Sequence, residues 1–241
     1  MNEKTQGFVL QSIRYGDTSL IVKIFTLENG LQTFMVKGVR GKTSRNRAAF
    51  FQPMTFLGFV QKNNPRSSEI SYLSDVEVDY PYQTIPNVMN KSAILMYVAE
   101  LLSHALTQQE RNEPLYSFVH QSMVWLDLVE KDYANFPIYF TLELSRFLGF
   151  YPRANYAPHA LFDMMEGQFV ATSPLHPYYF DEQYSLKLSQ LLNLGIDELP
   201  KVPLTGAQRN VLTDGVITFM RLHAPLLKGL QSHEVLKEVL R

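Results

Sequence analysis

The chain has 241 residues, of which 46% are hydrophobic and 19% charged. This is enough apolar material for a core and argues against global disorder. There is no cysteine, which excludes disulfides, thiolate metal sites and cysteine nucleophiles. The net charge is −1, but ten Lys and Arg against seven Asp and Glu give the first 80 residues a charge of +3. Such an asymmetry indicates a half that faces nucleic acid.

No targeting or membrane segment is expected. The polar N-terminus is followed by an apolar run that Gln11, Ser12 and Arg14 interrupt, which does not fit a signal peptide. No stretch approaches the roughly 18 apolar residues of a membrane span. We therefore expect a soluble, cytoplasmic protein without membrane contact.

Five short β-strands are predicted first, at residues 8–14, 19–26, 31–36, 54–61 and 69–79. Tyr15-Gly16-Asp17 supplies the first turn, and Asn29-Gly30 is a hairpin signal. In the fifth strand, alternation predicts one apolar face, formed by Ile70, Tyr72, Val76 and Val78. Five short antiparallel strands in about 80 residues are typical of a Greek-key barrel of the OB type, a fold that commonly binds oligonucleotides.

After residue 80 the pattern becomes helical. Helices are predicted at residues 87–107, 114–130, 137–148, 182–193, from the Thr205 capping box to Pro225, and 232–240. Residues 150–181 are irregular, with a small hairpin near 162–171. The predicted fold class is α+β and multidomain, with an OB-fold nucleic-acid-binding domain at 1–80 and an all-α helical domain at 81–241 that carries this hairpin.

The segment Lys37–Arg47 is the strongest functional signal. Its basic residues are Lys37, Arg40, Lys42, Arg45 and Arg47, and no acid lies between Glu28 and Glu69. Its glycine, serine, threonine and asparagine residues predict a loop. A loop so rich in cations indicates a polyphosphate ligand, most often nucleic acid. The alternative is a solvated loop without a partner.

Nearby residues extend this hypothesis. Tyr15, in the first turn, is the better candidate for stacking on a base, whereas Phe50 and Phe51 are predicted core anchors. If the loop is not the site, the basic alternatives are Arg14, Lys62 and Arg66.

Enzyme and metal sites are not expected. Gly41-Lys42-Thr43 resembles the end of a phosphate loop, but the required glycine five residues earlier is Val36. Asp75, Glu77 and Asp79 alternate on one strand, which favours a solvated face over a metal site. The histidines lack metal-binding spacings. We therefore predict no catalytic residues, no metal and no cofactor.

Several segments together resemble the RecO family of recombination mediators. They are Gly7-Phe8-Val9-Leu10, Tyr15-Gly16-Asp17-Thr18, Phe25-Thr26, Gly30, Val36-Lys37-Gly38-Val39-Arg40, Ser44-Arg45, Gln52-Pro53, Phe147-Leu148-Gly149-Phe150-Tyr151-Pro152, Arg221-Leu222-His223 and Ser232-His233-Glu234-Val235-Leu236-Lys237-Glu238-Val239. The resemblance covers nearly the whole chain. Its specificity lies in the order and spacing of the segments.

The resemblance implies an N-terminal OB fold, a C-terminal helical domain and a role in DNA repair and recombination. It implies binding of single- and double-stranded DNA, annealing of complementary strands, and work in the cytoplasm at the nucleoid. The implied partners are RecR, single-stranded-DNA-binding protein and, indirectly, the RecA recombinase. On matching positions it assigns DNA binding to Lys37, Arg40 and Arg45, while Lys42 and Arg47 join on charge alone.

One departure from the family concerns metal. Many members carry a four-cysteine zinc site after the L-G-x-x-P segment, and residues 157–167 here contain no cysteine. The histidine and acids of this region do not replace four thiolates. We expect no structural zinc, and a hairpin held by packing of Phe162, Met164 and Phe169.

A second functional hypothesis is an OB-fold interaction adaptor whose helical domain binds partner tails, with DNA contact secondary. Its candidate basic rim is scattered over Arg111, Lys131, Arg146 and Arg153. The ordinary role of each is surface solvation.

Overall fold

The computed structural model describes residues 3–39, 48–62, 70–107 and 110–240. The chain forms two compact units. The first consists of Met1–Gln83 and Leu106–Val124, and the second of Thr84–Ala105 and Trp125–Arg241. The assignment of residues 1–80 to a nucleic-acid-binding domain stays a prediction.

The first unit contains a closed five-stranded barrel. Its strands are β1 (Glu3–Tyr15), β2 (Ser19–Thr26), β3 (Gly30–Val36), β4 (Phe56–Lys62) and β5 (Ile70–Tyr80). The order around the barrel is β1-β2-β3-β5-β4, and β4 pairs back onto β1. Only β3 and β5 run parallel among these pairs. The predicted OB-type barrel is confirmed.

The predicted hairpin between β2 and β3 is present at Asn29-Gly30. Gly30 has φ +64°, and a Cβ on it would lie 2.1 Å from the Glu110 carbonyl oxygen, so only glycine fits. The Thr26 hydroxyl donates to the Gly30 carbonyl at 2.9 Å and accepts the Asn29 N–H at 3.1 Å. The positive φ of the turn and the close approach of Glu110 therefore both require glycine at position 30.

The predicted alternation in β5 is wrong in its first half. Gly58 of β4 pairs with Glu77, but Val60 pairs with Ser74, so two β5 residues, Asp75 and Val76, oppose one β4 residue. This is a β-bulge, and the extra residue shifts the strand's alternation. The side chains that pack on the core are Leu73, Val76 and Val78. Tyr72 instead lies beneath Lys37.

The barrel interior is a single apolar cluster. Its buried members are Val9, Leu20, Val22, Ile24, Phe34, Val36, Val39, Phe51, Leu57 and Phe59. Phe51 is buried in it and Phe50 packs against it, which confirms their prediction as core anchors.

The helices are α1 (Met89–Ala105), α2 (Glu113–Leu128), α3 (Phe136–Phe147), α4 (Glu182–Leu192), α5 (Gly206–His223) and α6 (His233–Val239). Short 3₁₀ turns cover Ile85–Asn87, Ile196–Lys201 and Pro225–Gly229. The predicted capping box opens α5, because Thr205 Oγ1 accepts the Gln208 N–H at 3.2 Å while Gln208 Oε1 accepts the Thr205 N–H at 3.0 Å. Within the described residues, every helix is too short or too polar to cross a bilayer.

The first part of α2 belongs to the barrel unit through an aromatic cluster. Phe8 is fully buried, with ring centroids 5.4 Å from Phe25 and 5.8 Å from Tyr116. The His120 ring lies 4.7 Å from the equally buried Phe56, edge to face. Burial lowers the pKa of His120 because water no longer solvates the imidazolium, although Asp79 opposes this shift.

The predicted hairpin at residues 162–171 is present and forms part of a small three-stranded sheet. The sheet consists of β6 (Leu161–Asp163), β7 (Gln168–Val170) and β8 (Tyr179–Phe180) in the order β7-β6-β8, and β8 was not predicted. Phe162, Met164 and Phe169 are all buried, which confirms the predicted apolar packing.

The same sheet offers a poor set of zinc ligands. Asp163 Oδ1 accepts the N–H groups of Met165 at 2.8 Å and Glu166 at 3.1 Å, and the Nε2 atom of His176 lies 3.3 Å from it. Because this carboxylate already closes the β6–β7 turn and no thiolate exists in the chain, the residues do not fit the family's zinc site.

A buried lysine organises the second unit. Lys91 is 2% exposed, and its ammonium donates to Thr84 Oγ1 at 2.7 Å and to the carbonyls of Asp127 and Val129 at 2.9 and 2.6 Å. The Asp127 carboxylate accepts the N–H groups of Thr84 and Ile85, both at 2.9 Å. The cation thus caps the carboxyl end of α2, whose last carbonyls have no helical partner.

Candidate nucleic-acid interface

The predicted DNA-binding residues divide into two groups. Arg40, Lys42, Arg45, Arg47 and Arg66 lie outside the described residues, as does the Gly41-Lys42-Thr43 motif. Arg14, Tyr15, Lys37 and Lys62 are described, and all four side chains are exposed.

Strand register shows where the described candidates lie on the barrel. Directly paired residues form a continuous row across the five strands, in the order Ile13, Ile21, Met35, Tyr72 and Lys62. Arg14 and Tyr15 follow Ile13 at the end of β1, and Lys37 follows Met35 by two residues. Lys62 itself ends β4. Arg14, Tyr15 and Lys37 therefore lie toward one end of the barrel, whereas Lys62 lies toward the other, because Gln61 before it pairs with Glu3 at the start of β1.

A backbone hydrogen bond joins the two turns at this end. The Val39 N–H donates to the Thr18 carbonyl at 3.0 Å, which ties the residues after β3 to the β1–β2 turn. The remaining residues of the basic segment, 40–47, follow Val39 directly in the sequence. The first residues of the segment therefore lie beside the β1–β2 turn, which follows Tyr15.

The exposed face of this end combines aromatic, apolar and cationic groups. Tyr15 is 53% exposed and Ile13 49% exposed. Lys37 Nζ lies 4.7 Å from the centroid of the Tyr72 ring, within the range of a cation–π contact. Bases stack on rings while cations hold phosphates, so this composition suits a single strand of nucleic acid.

Tyr72 belongs to the candidate interface through its contact with Lys37, and the sequence did not predict this position. Its alternation with Val76 assigned it to the core face, and the bulge at Asp75 reverses that assignment. A signal was present, since Leu73 and Ser74 break the apolar–polar alternation between Tyr72 and Val76.

A cleft of about 380 Å³ opens beside Lys37. The parallel pairing of β3 and β5 covers only Thr33–Met35 and Ile70–Tyr72, after which the strands part. Apolar side chains form the cleft walls, and Lys37, Ser74 and Asp75 contribute its polar lining. Its volume falls in the range of small-ligand pockets.

The acidic residues of β5 have protein partners. Glu77 lies 3.4 Å from Lys4, with both side chains mostly exposed, and Asp79 accepts from Gln6 Nε2 at 2.9 Å. Glu77 and Asp79 behave as the solvated face that the sequence predicts, whereas Asp75, at the bulge, lines the cleft.

A group of potential metal ligands lies in the second unit, formed by Asp214, His233 and Glu234. The Lys237 ammonium is 2.8 Å from each of the two carboxylates. Because a cation of the protein already neutralises them, this group is an ion-pair network.

The arginines proposed as a partner-binding rim contact their neighbours. Arg111 pairs with Glu113 at 2.9 Å, and Arg153 donates to Gln168 at 2.9 Å. Arg146 pairs with Glu143 and lies 3.7 Å from the centre of the Tyr151 ring. The hydrogen bond to Glu143 raises the pKa of Arg146 despite its partial burial. These contacts fit ordinary surface roles.

Known proteins and family models match both units of the chain. The family model described as "Recombination protein O N terminal" matches residues 1–82, and "Recombination protein O C terminal" matches residues 87–228. Proteins named DNA repair protein RecO from Phocaeicola vulgatus, Bacteroides fragilis and Flavobacterium psychrophilum are 33%, 32% and 32% identical, each over 99% of both chains. The chain therefore belongs to the Recombination protein O family, RecO.

Proposed function

We propose that this protein is a mediator of DNA repair and homologous recombination. It binds single- and double-stranded DNA, anneals complementary strands and helps a recombinase load onto DNA coated with single-stranded-DNA-binding protein. Membership of the RecO family and the names of its relatives support this proposal.

The observation that carries the DNA-binding part is the convergence at one barrel end. Arg14, Tyr15 and Lys37 lie together there, and four further basic residues of the segment follow Val39 in the sequence. Such a surface binds phosphates without reading sequence. It also supports annealing, because a cationic surface screens the repulsion between two polyanionic strands.

The proposed partners are RecR, single-stranded-DNA-binding protein and, through them, RecA. The proposed location is the cytoplasm, at the nucleoid. We propose no nucleotide hydrolysis, since the motif at Gly41-Lys42-Thr43 lacks the glycine of a phosphate loop. Measurable ATP turnover by the purified protein would contradict this part.

The test is a salt titration of binding to single- and double-stranded DNA. If the five cations of Lys37–Arg47 all contact a single strand, the log–log slope should be roughly −3 to −4. Replacing Arg40 and Arg45 with alanine should flatten this slope by roughly 1.4. Replacing Arg111 and Arg153 with alanine removes the same charge from arginines that already contact Glu113 and Gln168, and should leave the slope unchanged.

The result also locates the site. An unchanged slope in the Arg40 and Arg45 variant would move the phosphate contacts to Arg14, Lys62 and Arg66. Absence of binding to either form of DNA would overturn the proposed function.

A further inference from the structure

The cleft beside Lys37 has the construction of a ligand site. Val36, Val39, Phe50 and Val76 form apolar walls, while Ser74 and Asp75 contribute polar groups on one side. Ligand pockets typically pair apolar walls with a few well-placed polar groups. A flat ligand with an apolar face and hydrogen-bonding edges suits this lining.

The backbone at Asp75 is unusual. Asp75 has φ +52°, in the left-handed region that residues other than glycine seldom adopt, and it lies in the β-bulge of β5. Bulges re-aim side chains and are common beside functional sites. The bulge lies at the cleft, and Asp75 contributes to its polar lining together with Lys37 and Ser74.

The carboxylate of Asp75 limits what the cleft accepts. Ser74 Oγ donates to Asp75 Oδ2 at 3.2 Å, which supplies one of about four hydrogen bonds that a carboxylate can accept. A phosphate would be repelled by this group. The edge of a nucleobase carries N–H donors, and Asp and Glu accept from the amino group of cytosine. The polar edge therefore matches a base and opposes a phosphate.

The charge around the cleft points to nucleic acid as the source of that base. Lys37 and Val39 lie at one end of the basic segment and Phe50 shortly after its other end, and all three line the cleft. In sequence, the four cations Arg40, Lys42, Arg45 and Arg47 occur between Val39 and Phe50. A chain of phosphates complements this charge, whereas an uncharged peptide does not.

We propose that the cleft binds one unstacked nucleobase of single-stranded DNA, with Asp75 accepting from the amino group of the base and Lys37 holding a neighbouring phosphate. The walls bury the face of the base. The proposal rests on the proposed DNA binding and adds a base-binding subsite to it.

The first experiment separates base from backbone. Fluorescence anisotropy with the full chain compares an oligodeoxycytidine with an abasic oligonucleotide of equal length and charge. A base held in the cleft should make the cytidine strand bind about fivefold tighter or more. Equal affinities would overturn the base subsite while leaving phosphate-driven DNA binding intact. Failure of both strands to bind would overturn the proposed function as well.

A matched pair of valines tests the location. Val76 lines the cleft and Val78 does not, yet both belong to β5 and pack against the same core. Val76→Phe should remove the preference for cytidine over the abasic strand, and Val78→Phe should retain it. Retention of the preference in folded Val76→Phe would place the base elsewhere and overturn the proposal.

Substitution of the exposed residue Asp75 provides a second test in case the valine substitutions disturb folding. Wild-type protein should bind oligodeoxycytidine about fivefold tighter than oligothymidine, because thymine lacks the amino group. Asp75→Ala, which removes the acceptor, should abolish this difference, whereas Glu77→Ala, which removes the same charge from the next exposed acid of β5, should not. Equal binding of the two strands by wild-type protein would refute the role of Asp75.

Discussion

The ammonium of Lys37 lies 4.7 Å from the centroid of the Tyr72 ring. The two residues are 35 positions apart and come from different strands of the barrel. The contact holds the long side chain of Lys37 at the barrel end where Arg14 and Tyr15 also lie. Tyr72 is thus a positioning residue for a cation that faces the proposed DNA.

The first prediction concerns Lys37 itself. Lys37→Gln removes one phosphate contact, so binding of single-stranded DNA should weaken and the log–log salt slope should fall in magnitude by about 0.7. Lys4→Gln is the control, because Lys4 is an exposed lysine of the same barrel that pairs with Glu77. An equal loss in both variants would show that only net charge matters.

Tyr72→Leu tests the contact rather than the charge. The variant keeps all cations, so the salt slope should stay the same while affinity falls by about two- to fivefold, the size of an exposed cation–π contact. The measurement is the same titration. A changed slope would mean that Tyr72 alters the number of phosphate contacts instead.

The third prediction is a dependence of stability on pH through His120. Burial lowers its folded-state pKa below the ordinary value of about 6.5. Neutral His120 therefore stabilises the fold fully above about pH 6.5, and this contribution is lost as the pH falls toward the folded-state pKa. Urea unfolding at pH 7.5 and 5.5 should show a smaller loss for His120→Phe, which keeps the aromatic contact with Phe56. Equal losses in both proteins would assign the effect to other groups.

The fourth prediction concerns the buried cation of the second unit. Lys91→Met leaves the carbonyls of Asp127 and Val129 without their donor, so the free energy of unfolding should fall by roughly 2–3 kcal/mol. Lys228→Met, at an exposed position, should change stability by less than about 0.5 kcal/mol. Chemical denaturation measures both. Equal effects would show that the network around Lys91 contributes little.

The fifth prediction is that the small sheet is stable without metal. Its turn is closed by Asp163 and its interior is filled by Phe162, Met164 and Phe169. Incubation with a chelator should leave the thermal unfolding curve unchanged, and metal analysis should find no zinc. One equivalent of bound zinc would contradict the prediction.

The sequence predicted turns and helix starts well where neighbouring residues alone determine them. The Asn29-Gly30 hairpin and the Thr205 capping box need only neighbouring residues, and both are present. The bulge at Asp75 could not be predicted from alternation alone, because it depends on the pairing of β5 with two strands. Residues 70–72 of β5 pair with β3, and residues 72–80 pair with β4.

The site could be predicted only in part. Charge predicted Lys37 in a basic loop after the third strand, but the pairing that sets Tyr72 between Met35 and Lys62 exists only through strand register. Tyr116 and His120 were predicted as helical residues, and nothing in their spacing indicated that they pack on Phe8 and Phe56. Contacts between distant segments carry no local signature.

The discontinuous barrel unit affects how the chain folds during synthesis. Its last strand ends at Tyr80, but the helix residues that contact Phe8 and Phe56 extend to His120. At typical elongation rates of about 5–20 residues per second, these 40 residues take roughly 2–8 s to emerge. During that interval Phe8 and Phe56 lack the ring contacts that Tyr116 and His120 later provide, so the nascent barrel exposes more apolar surface than the finished unit.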